Sequence, residues 1–222
     1  MLAILSIFVQ LEKVPLNVIF FCRVADIILE RVKSDNGFGP FSQYLVNLSW
    51  QAAQGLETLG LGDDVIVCAK ELPVHYSKAQ ELIAQIWKTI KPKLAVHMGI
   101  APGSQAVILE QCGKNQGYKQ RDVCGVCPPG HCCVEGGQDI LHSIIDMKTL
   151  SRHFQSLGLD VIYSRDAGRF LCDFVYYYSL HLAGGKSVFL HLPTRGALAD
   201  LDNLLPLLQA VILAMLGQLE AQ

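Results

Sequence analysis

The chain has 222 residues, of which 51% are hydrophobic and 17% are charged. This length and composition predict one globular domain with a sizeable core and exclude an intrinsically disordered protein. The formal net charge is −2, so the chain lacks the basic surface on which nucleic-acid binding depends. Two apolar runs near the N-terminus, residues 1–9 and 16–22, are shorter than the ~20 residues that span a bilayer, and no basic start marks a signal peptide. We therefore expect a cytoplasmic protein that binds neither nucleic acid nor membranes.

From residue 45 onward, helical and extended patterns alternate along the chain. Helices are predicted at Leu45–Leu59, Lys78–Ile90, Met147–Leu157 and Leu201–Leu219, and strands at Val65–Lys70, Leu94–Met98, Ala106–Glu110, Val161–Ser164 and Val188–Leu192. The alternation predicts an α/β fold, a single-domain three-layer α/β/α sandwich with a mostly parallel, twisted sheet. In such sheets the functional groups gather at the carboxyl ends of the strands.

Cys172 lies in the segment with the most informative pattern. Residues 159–164 are typical of a short buried strand, residues 166–168 suit a sharp turn, and apolar side chains then recur at helical spacing from Phe170. Cys172 is thus predicted in the first turn of a helix, where free backbone N–H groups and the helix dipole favour a thiolate. The alternative is a small buried side chain on an aromatic helix face, which is the commoner role of a cysteine.

A thiolate nucleophile needs a base, and the base needs a group that orients it. His191 ends an apolar strand that Pro193 terminates, and Glu110 ends an apolar strand upstream. Taken alone, His191 is more typical of a hydrogen-bonded core residue and Glu110 of a surface acid. Three such residues at element ends in an α/β chain nevertheless favour a cysteine hydrolase. The six other histidines, including His97, are interpreted as surface or hydrogen-bonded core residues.

Four of the eight cysteines lie within ten residues of one another, at positions 124, 127, 132 and 133. With His131 they could form a tetrahedral zinc site, since C-x2-C on a Gly/Pro-rich loop is an ordinary half-site. Adjacent Cys132 and Cys133 cannot easily ligate one ion, however, because their side chains diverge. We therefore expect no metal and no other cofactor, and we favour a loop with free thiols over a redox-labile or zinc-binding loop. Free thiols are typical of a reducing cytosol.

Four segments, in order, carry a resemblance to a known family: Gly37-Phe38-Gly39-Pro40-Phe41, Leu109 through Tyr118, Ser164 through Asp173, and Phe189-Leu190-His191-Leu192-Pro193. In sequence and spacing they resemble the pyroglutamyl-peptidase I family of cysteine peptidases, especially its vertebrate members. The match extends from Gly37 to the region of Glu220. The resemblance implies a thiol protease, an omega-peptidase that removes N-terminal pyroglutamate (5-oxoproline) through a thioester acyl-enzyme. Its partners would be peptides that begin with pyroglutamate.

The resemblance also implies roles for individual residues. Cys172 would be the nucleophile, His191 the general base and acid, and Glu110 the residue that orients the imidazole. The residues that would bind the lactam ring of the substrate are Phe38, Phe41, Phe170 and Leu171.

The segment Gly99–Ser104, after the strand Leu94–Met98, could pass for a phosphate-binding loop. It lacks the lysine and the glycine order of nucleotide-binding motifs, so it is more typical of a strand-terminal turn that lines the site. Bacterial members of the resembled family carry an arginine six residues before the glutamate, and Ser104 stands at that position here. We therefore expect backbone N–H groups near Cys172 and in this loop to stabilise an oxyanion.

The N-terminal segment departs from the family pattern. In the family, a central apolar strand runs directly into the glycine-phenylalanine segment, whereas residues 28–36 here are typical of a charged helix end and turn. The nearest plausible strand is Leu16–Phe21, well upstream of Gly37. We therefore divide the chain into a divergent N-terminal segment, residues 1–36, and a pyroglutamyl-peptidase-like domain, residues 37–222. A missing strand would leave either a weak enzyme with a high KM or a silent paralogue that binds a peptide or protein partner.

Overall fold

In the part of the chain that the structure describes, the main sheet has six strands. The structure, a computed structural model, describes residues 17–24 and 41–221, with side chains from Leu48 onward. These strands are β1 (Asn17–Val24), β2 (Val65–Leu72), β3 (Leu94–Ala101), β4 (Val107–Glu110), β7 (Val161–Ser164) and β8 (Ser187–Pro193). Their spatial order is β2-β1-β3-β8-β4-β7. Two short strands, β5 (Cys112–Lys114) and β6 (Ile140–His142), pair antiparallel in a second sheet. The sequence patterns did not predict β5 and β6.

The helices between these strands are α1 (Phe41–Leu59), α2 (Tyr76–Thr89), α3 (Met147–Ser156), α4 (Leu171–Ala183) and α5 (Leu201–Glu220). Local sequence explains several of their ends. Asp146 caps α3 by accepting the backbone N–H of Thr149 at 3.0 Å, and Asp200 caps α5 in the same manner. Gly184 ends α4 in the left-handed conformation, at φ 58°, that favours glycine. The helices and strands predicted from residue 45 onward are confirmed, with ends that differ by up to four residues.

Two hydrophobic clusters cover the two faces of the sheet. Helices α1, α3 and α5 pack on one face, in a cluster that includes Leu190 of β8 and Leu208 of α5. Helices α2 and α4 pack on the other, in a cluster that includes Phe189 of β8 and Phe174 of α4. Neighbouring residues of a strand point to opposite faces, which is why Phe189 and Leu190 belong to different clusters. The predicted three-layer α/β/α sandwich is therefore confirmed.

Strand β4 runs antiparallel to β8, whereas the other four strand pairs of the main sheet are parallel. Glu110 lies opposite Phe189, and Ile108 lies opposite His191. The expectation that Glu110 and His191 meet because their strands end at one parallel edge is therefore wrong. Opposite residues of an antiparallel pair project from the same face of the sheet. Glu110 thus shares a face with Phe189 and His191, and the two polar side chains meet there.

Strand β1 lies inside the sheet and pairs on both sides. Phe20 is opposite Cys68 of β2 and also opposite Ala95 of β3. The sequence analysis identified a plausible strand here but treated the central strand as missing, and the structure corrects that interpretation. The pairing partners of β1 lie far away in sequence, so no local pattern indicated its place. Residues 25–40 lie outside the described residues, and the division of the chain at residue 36 stays a prediction.

Helix α5 is the one helix in the described ranges that is long and apolar enough to cross a membrane by length and composition. Its side chains Leu204, Leu208, Val211 and Met215 are all buried in the cluster formed with α1, α3 and the sheet. Helix α5 is therefore a core helix.

Candidate active site

Cys172 is the second residue of α4, in the first turn as predicted, and its side chain is half-buried. The cap residue Phe170 has an extended backbone and makes no side-chain capping bond. The N–H groups of the first helical residues have no intrahelical acceptor. The start of α4 therefore offers free donors and partial positive charge to a negative group that forms near the thiol.

Gly99 lets the thiol approach strand β3. It lies opposite His191 in the pairing of β3 with β8. A Cβ atom on Gly99 would lie 3.1 Å from Sγ of Cys172 and 2.9 Å from Cζ of Phe189. Because such distances are shorter than ordinary carbon contacts, any side chain at this position would displace the thiol or the ring. The sequence analysis treated Gly99 as the start of a turn, but β3 continues through it to Ala101.

His191 bonds the thiol on one side and a carboxylate on the other. Its Nδ1 lies 2.9 Å from Oε1 of Glu110, and its ring also hydrogen-bonds with Cys172. Burial lowers the pKa of His191, but the hydrogen bonds to Cys172 and Glu110 outweigh it and raise the pKa to about 9. The imidazole is therefore protonated at neutral pH. The carboxylate bond leaves Nε2 as the ring nitrogen available to sulfur or substrate.

Glu110 is a buried carboxylate, with a side chain 2% exposed. The Tyr176 hydroxyl of α4 donates to the backbone carbonyl of Glu110 at 2.8 Å, which fixes the end of β4 against α4. Among the described residues, the second carboxylate oxygen, Oε2, has no hydrogen-bond partner. A buried carboxylate is costly unless a positive group pairs with it, and His191 is that group here.

Phe189 connects His191 to a second, deeper histidine. The Phe189 ring centroid lies 4.7 Å from that of His191 and 6.4 Å from that of His97, with the His97 and Phe189 planes 14° apart. His97 is 1% exposed, and neither of its ring nitrogens has a hydrogen-bond partner within the described part of the chain. Burial lowers its pKa to about 3, so the ring is neutral. His97 was expected either at the surface or hydrogen-bonded in the core. It is buried instead, and no described residue bonds its ring.

Two of the four residues that the resemblance assigns to the lactam ring have described side chains. Phe170 is half-buried and packs edge-on against Tyr76, with ring centroids 5.9 Å apart. Leu171 is fully buried in the cluster of α2 and α4, so a substrate would meet its backbone rather than its side chain. Phe38 lies outside the described residues. Phe41 begins α1, and its side chain also lies outside them.

The turn after β3 is tied to the turn after β8. The N–H of Gly103 donates to Oγ1 of Thr194 at 2.8 Å, and the N–H groups of Thr194 and Arg195 donate to the carbonyl of Ser104 at 3.0 and 3.1 Å. The Ser104 hydroxyl bonds the backbone of Ala106. Ser104, at the position of the bacterial arginine, therefore stabilises the turn through its hydrogen bonds.

The cysteine-rich loop divides into exposed and buried thiols. Cys124 is exposed and Cys127 and Cys132 are half-buried, whereas Cys133 is buried and donates its thiol hydrogen to the carbonyl of Phe174 at 3.5 Å. The interpretation as a surface loop thus applies to three of the four thiols, and Cys133 is a core residue. Within the described ranges, no group of three or more His, Cys, Asp or Glu side chains is placed to hold a metal ion.

Replacing Cys124, Cys127 and Cys132 together by serine is expected to leave the melting temperature and activity unchanged. Adding Cys133→Ser should cost only about 1 kcal/mol, because the new hydroxyl is buried yet keeps the Phe174 carbonyl as acceptor. Thermal melts and turnover of the triple and quadruple variants measure this. Stoichiometric zinc by mass spectrometry, with unfolding on chelation, would contradict the free-thiol interpretation.

The sequence analysis placed Gly99 in a turn lining the site but missed its contact with Cys172, and it gave Asp173 no role. Gly99 was visible as a glycine near a strand end, but its contact with Cys172 depends on how α4 crosses β3. Asp173 follows Cys172 directly, and a carboxylate in an otherwise apolar helix face was a signal for a buried polar contact.

A thiol, an imidazole and a buried carboxylate, hydrogen-bonded in series on an α/β sandwich, define a protein of the cysteine hydrolase class. The sequence profile of the family described as "Pyroglutamyl peptidase" matches residues 35–200. The chain belongs to the pyroglutamyl peptidase family, and the resemblance found in the sequence is confirmed.

Curated relatives agree with this membership, and a solved structure shares the fold. Pyroglutamyl-peptidase 1 of Rattus norvegicus is 48% identical over 186 residues, which cover 83% of this chain and 89% of the relative. Pyroglutamyl-peptidase 1-like protein of Homo sapiens is 43% identical over 150 residues, 66% of this chain and 76% of the relative. The structure of a pyrrolidone carboxyl peptidase from Thermococcus litoralis superposes with a TM-score of 0.72 at 19% identity, covering 92% of this chain and 94% of that one.

Proposed function

We propose that this chain is a cysteine-type omega-peptidase that removes N-terminal pyroglutamate from peptides through a thioester acyl-enzyme. The observation that carries the proposal is the hydrogen-bonded series of Cys172, His191 and Glu110 in a chain 48% identical to a pyroglutamyl-peptidase 1. Membership in the family supplies the substrate class, and the geometry supplies a nucleophile, a proton carrier and a group that orients it.

In the proposed reaction, the sulfur of Cys172 attacks the carbonyl carbon that follows the pyroglutamyl ring. The carbonyl electrons move to oxygen, and the free N–H groups at the start of α4 stabilise the oxyanion. His191 then gives its proton to the departing amine, the C–N bond breaks and a thioester remains. A water molecule, deprotonated by His191, attacks the thioester, and pyroglutamate leaves as the thiol is restored.

Glu110 has the role of an orienting group. Its Oε1 accepts from Nδ1 of His191, which holds the ring with Nε2 towards the sulfur and stabilises the imidazolium. The carboxylate need not itself take up a proton in any step. Glu110 is therefore proposed to act through His191 and without contact to the substrate.

Lactam recognition is assigned to Phe38, Phe41, Phe170 and the backbone at Leu171. A small neutral ring suits an aromatic slot with a few backbone hydrogen bonds. Since proline offers no lactam N–H and C=O pair, a site built for that pair leaves polar groups unpaired with proline and rejects it. Phe170, packed on Tyr76 beside the nucleophile, has the described side chain best placed for this role.

Hydrolysis of a fluorogenic pyroglutamyl amide, compared with the matching prolyl amide, tests the proposed function. We expect turnover of the first, none of the second, and none of either by Cys172→Ala. A folded wild-type chain that hydrolyses neither amide would favour the alternative of a silent paralogue that binds a peptide or protein partner.

The segment between β1 and the predicted lactam loop is expected to weaken substrate binding. In the resembled family the strand runs directly into the Gly-Phe-Gly-Pro-Phe segment, whereas β1 ends at Val24 and that segment begins at Gly37. Fixing a loop that is not held by a strand costs on the order of 1–2 kcal/mol for each residue ordered. We therefore expect a high KM, and deletion of residues 25–36 should lower it by joining β1 to Gly37.

A variant in which residues 25–36 are replaced by twelve glycine and serine residues is the control for the deletion. It keeps the length and should keep the high KM. A wild-type KM equal to that of the deletion variant would show that residues 25–36 do not weaken substrate binding.

Location in the cytoplasm is also proposed. The cysteines that the structure describes are all free thiols, which persist in a reducing compartment. The proposed partners are peptides with N-terminal pyroglutamate.

A further inference from the structure

Asp173 places a carboxyl group directly beside the nucleophile, and the proposed mechanism does not use it. It follows Cys172 in the first turn of α4 and is 0% exposed. Its Oδ1 lies 3.2 Å from the backbone nitrogen of Lys114, and its Oδ2 lies 3.1 Å from Oη of Tyr118. Both partners belong to β5 or to the loop that follows it. Asp173 therefore joins the nucleophile turn to that segment.

The Tyr118 hydroxyl has one proton and two neighbours that would accept it. Its Oη is hydrogen-bonded to the backbone carbonyl of Lys114, which can only accept. It also faces Oδ2 of Asp173. If Tyr118 donates to the carbonyl, its contact with Asp173 is a hydrogen bond only when the carboxyl group carries a proton and donates to Oη. A protonated Asp173 satisfies both contacts at once, and a carboxylate does not.

The charged groups around Asp173 are largely paired with each other. Nη1 of Arg169 lies 3.6 Å from Oδ2 of Asp173 but 2.6 Å from Oδ1 of Asp166, and Nζ of Lys114 lies 3.2 Å from the same oxygen of Asp166. Burial raises the pKa of Asp173 to about 7. The Tyr118 hydroxyl, when it turns to donate to the carboxylate, the Lys114 N–H and the charge of Arg169 oppose this rise. The carboxyl group is therefore able to hold a proton near neutral pH.

The other titratable groups that face Asp173 come from β5, the cysteine-rich loop and α4 itself. They are Cys112, Cys133 and Tyr176. Burial raises the pKa of each of them, so all three are neutral near pH 7. The ionisation of Asp173 is thus the local charge change expected between pH 6 and pH 8.

We propose that Asp173 is a positioning residue that works in its protonated form. It accepts from the Lys114 N–H, donates to Tyr118 and so locks the first turn of α4 onto β5. This lock fixes the direction of Cys172 towards Gly99 and His191. A neutral group also spares the thiolate a neighbouring negative charge. Small displacements of a reacting atom, on the order of 1 Å, can cost about a hundredfold in rate.

Asp173→Asn mimics the protonated carboxyl group, because its amide N–H₂ can donate to Tyr118 while its oxygen accepts from Lys114. At pH 6 we expect this variant to keep kcat within about twofold of the wild type. Asp173→Ala removes both bonds and should lower kcat by at least about tenfold, with a smaller change in KM. Ser179→Ala is the matched control, since Ser179 is a buried residue of α4 that accepts from Trp87. It should lose stability without losing kcat.

The pH profile separates positioning from a structural role. Wild-type kcat/KM should fall by about fivefold relative to Asp173→Asn between pH 6 and pH 8, as the carboxyl group ionises and one hydrogen bond is lost. Alkylation of Cys172 by iodoacetamide, followed by mass spectrometry, should show the same change in the ratio of the two rates. The kinetic readout rests on the proposed function, whereas the alkylation readout needs no turnover.

A ratio of Asp173→Asn to wild type that stays constant from pH 6 to pH 8 in both readouts would overturn the proposal. So would an Asn variant that is as impaired at pH 6 as the Ala variant while it is fully folded by thermal melt. If Asp173→Ala does not fold, the pH dependence of the ratio of Asp173→Asn to wild type alone tests the positioning role. A pH-dependent alkylation ratio in a chain without peptidase activity would refute the proposed function and support the positioning role.

Discussion

Replacing Cys172 by alanine is expected to lower kcat for a pyroglutamyl amide by about 10⁴-fold or more while the fold stays intact. The thiol is the group that hydrogen-bonds with His191 and lies against Gly99. Alanine leaves no atom that can form the acyl-enzyme, so the remaining rate comes from binding and from the backbone donors of α4. Single-turnover and steady-state rates of purified wild type and variant, with circular dichroism as a check of folding, provide the measurement.

Cys124→Ala is the matched control for this experiment, because Cys124 is exposed on the cysteine-rich loop. It should turn over like the wild type. A Cys172→Ser variant with near-normal turnover, together with an inactive loop variant, would show that the nucleophile is elsewhere. Iodoacetamide should also label Cys172 fastest among the described cysteines, because a protonated His191 and the start of α4 stabilise its thiolate.

The positions of Cys172 and His191 in the fold were predictable because their signals are local. A short strand, a glycine-containing turn and a helical aromatic pattern placed Cys172 in a first helical turn, and the structure has it as the second residue of α4. His191 was predicted from an apolar strand that a proline ends, and β8 has these bounds within one residue. Both predictions needed only a few neighbouring residues.

Glu110 lies against His191 as expected, but for a different reason from the one the sequence suggested. The sequence argument relied on a parallel sheet whose strand ends share one edge, but β4 is antiparallel to β8. The contact with His191 arises because the two residues project from one face of an antiparallel pair. Strand β3 ends at Ala101 and β4 begins at Val107, and this link of five residues is too short for the crossover that a parallel strand requires. Strand β4 therefore runs against β3 and β8, a signal that the spacing of the two predicted strands already carried.

Contacts between distant segments account for the other errors. Strand β1 pairs with two strands that come later in the chain, and Cys133 is buried because α4 passes over its loop. Likewise, the ring nitrogens of His97 find no hydrogen-bond partner among the described side chains because the residue lies in a central strand. Hydrophobic periodicity reports which face of an element is buried, and it does not report which partner covers that face.

His191→Ala is expected to lower kcat by more than about 10³-fold, and Glu110→Gln by a factor about ten to a hundred times smaller. In the proposed mechanism His191 carries the proton in both half-reactions, whereas Glu110 only orients the ring and stabilises its charge. Gln111→Ala is a control in the neighbouring residue, because its amide donates to the backbone carbonyls of Ser143 and Ile145. Equal and small effects of the two site variants would contradict the assigned roles.

The same pair should be visible in the pH dependence of stability. Folding raises the pKa of His191 to about 9, compared with about 6.5 for an unperturbed histidine. A histidine whose pKa rises on folding stabilises the folded state fully below its unfolded pKa, and this contribution is lost as the pH rises through the folded pKa. Glu110→Gln removes the negative charge that stabilises the protonated His191 ring. The free energy of unfolding of this variant should therefore lie furthest below that of the wild type under pH 6.5, and the two values should converge towards pH 9. Urea unfolding at pH 6 and pH 9 measures the difference. A loss that is the same at both values, or larger at pH 9, would mean that the 2.9 Å contact does not stabilise a charged His191.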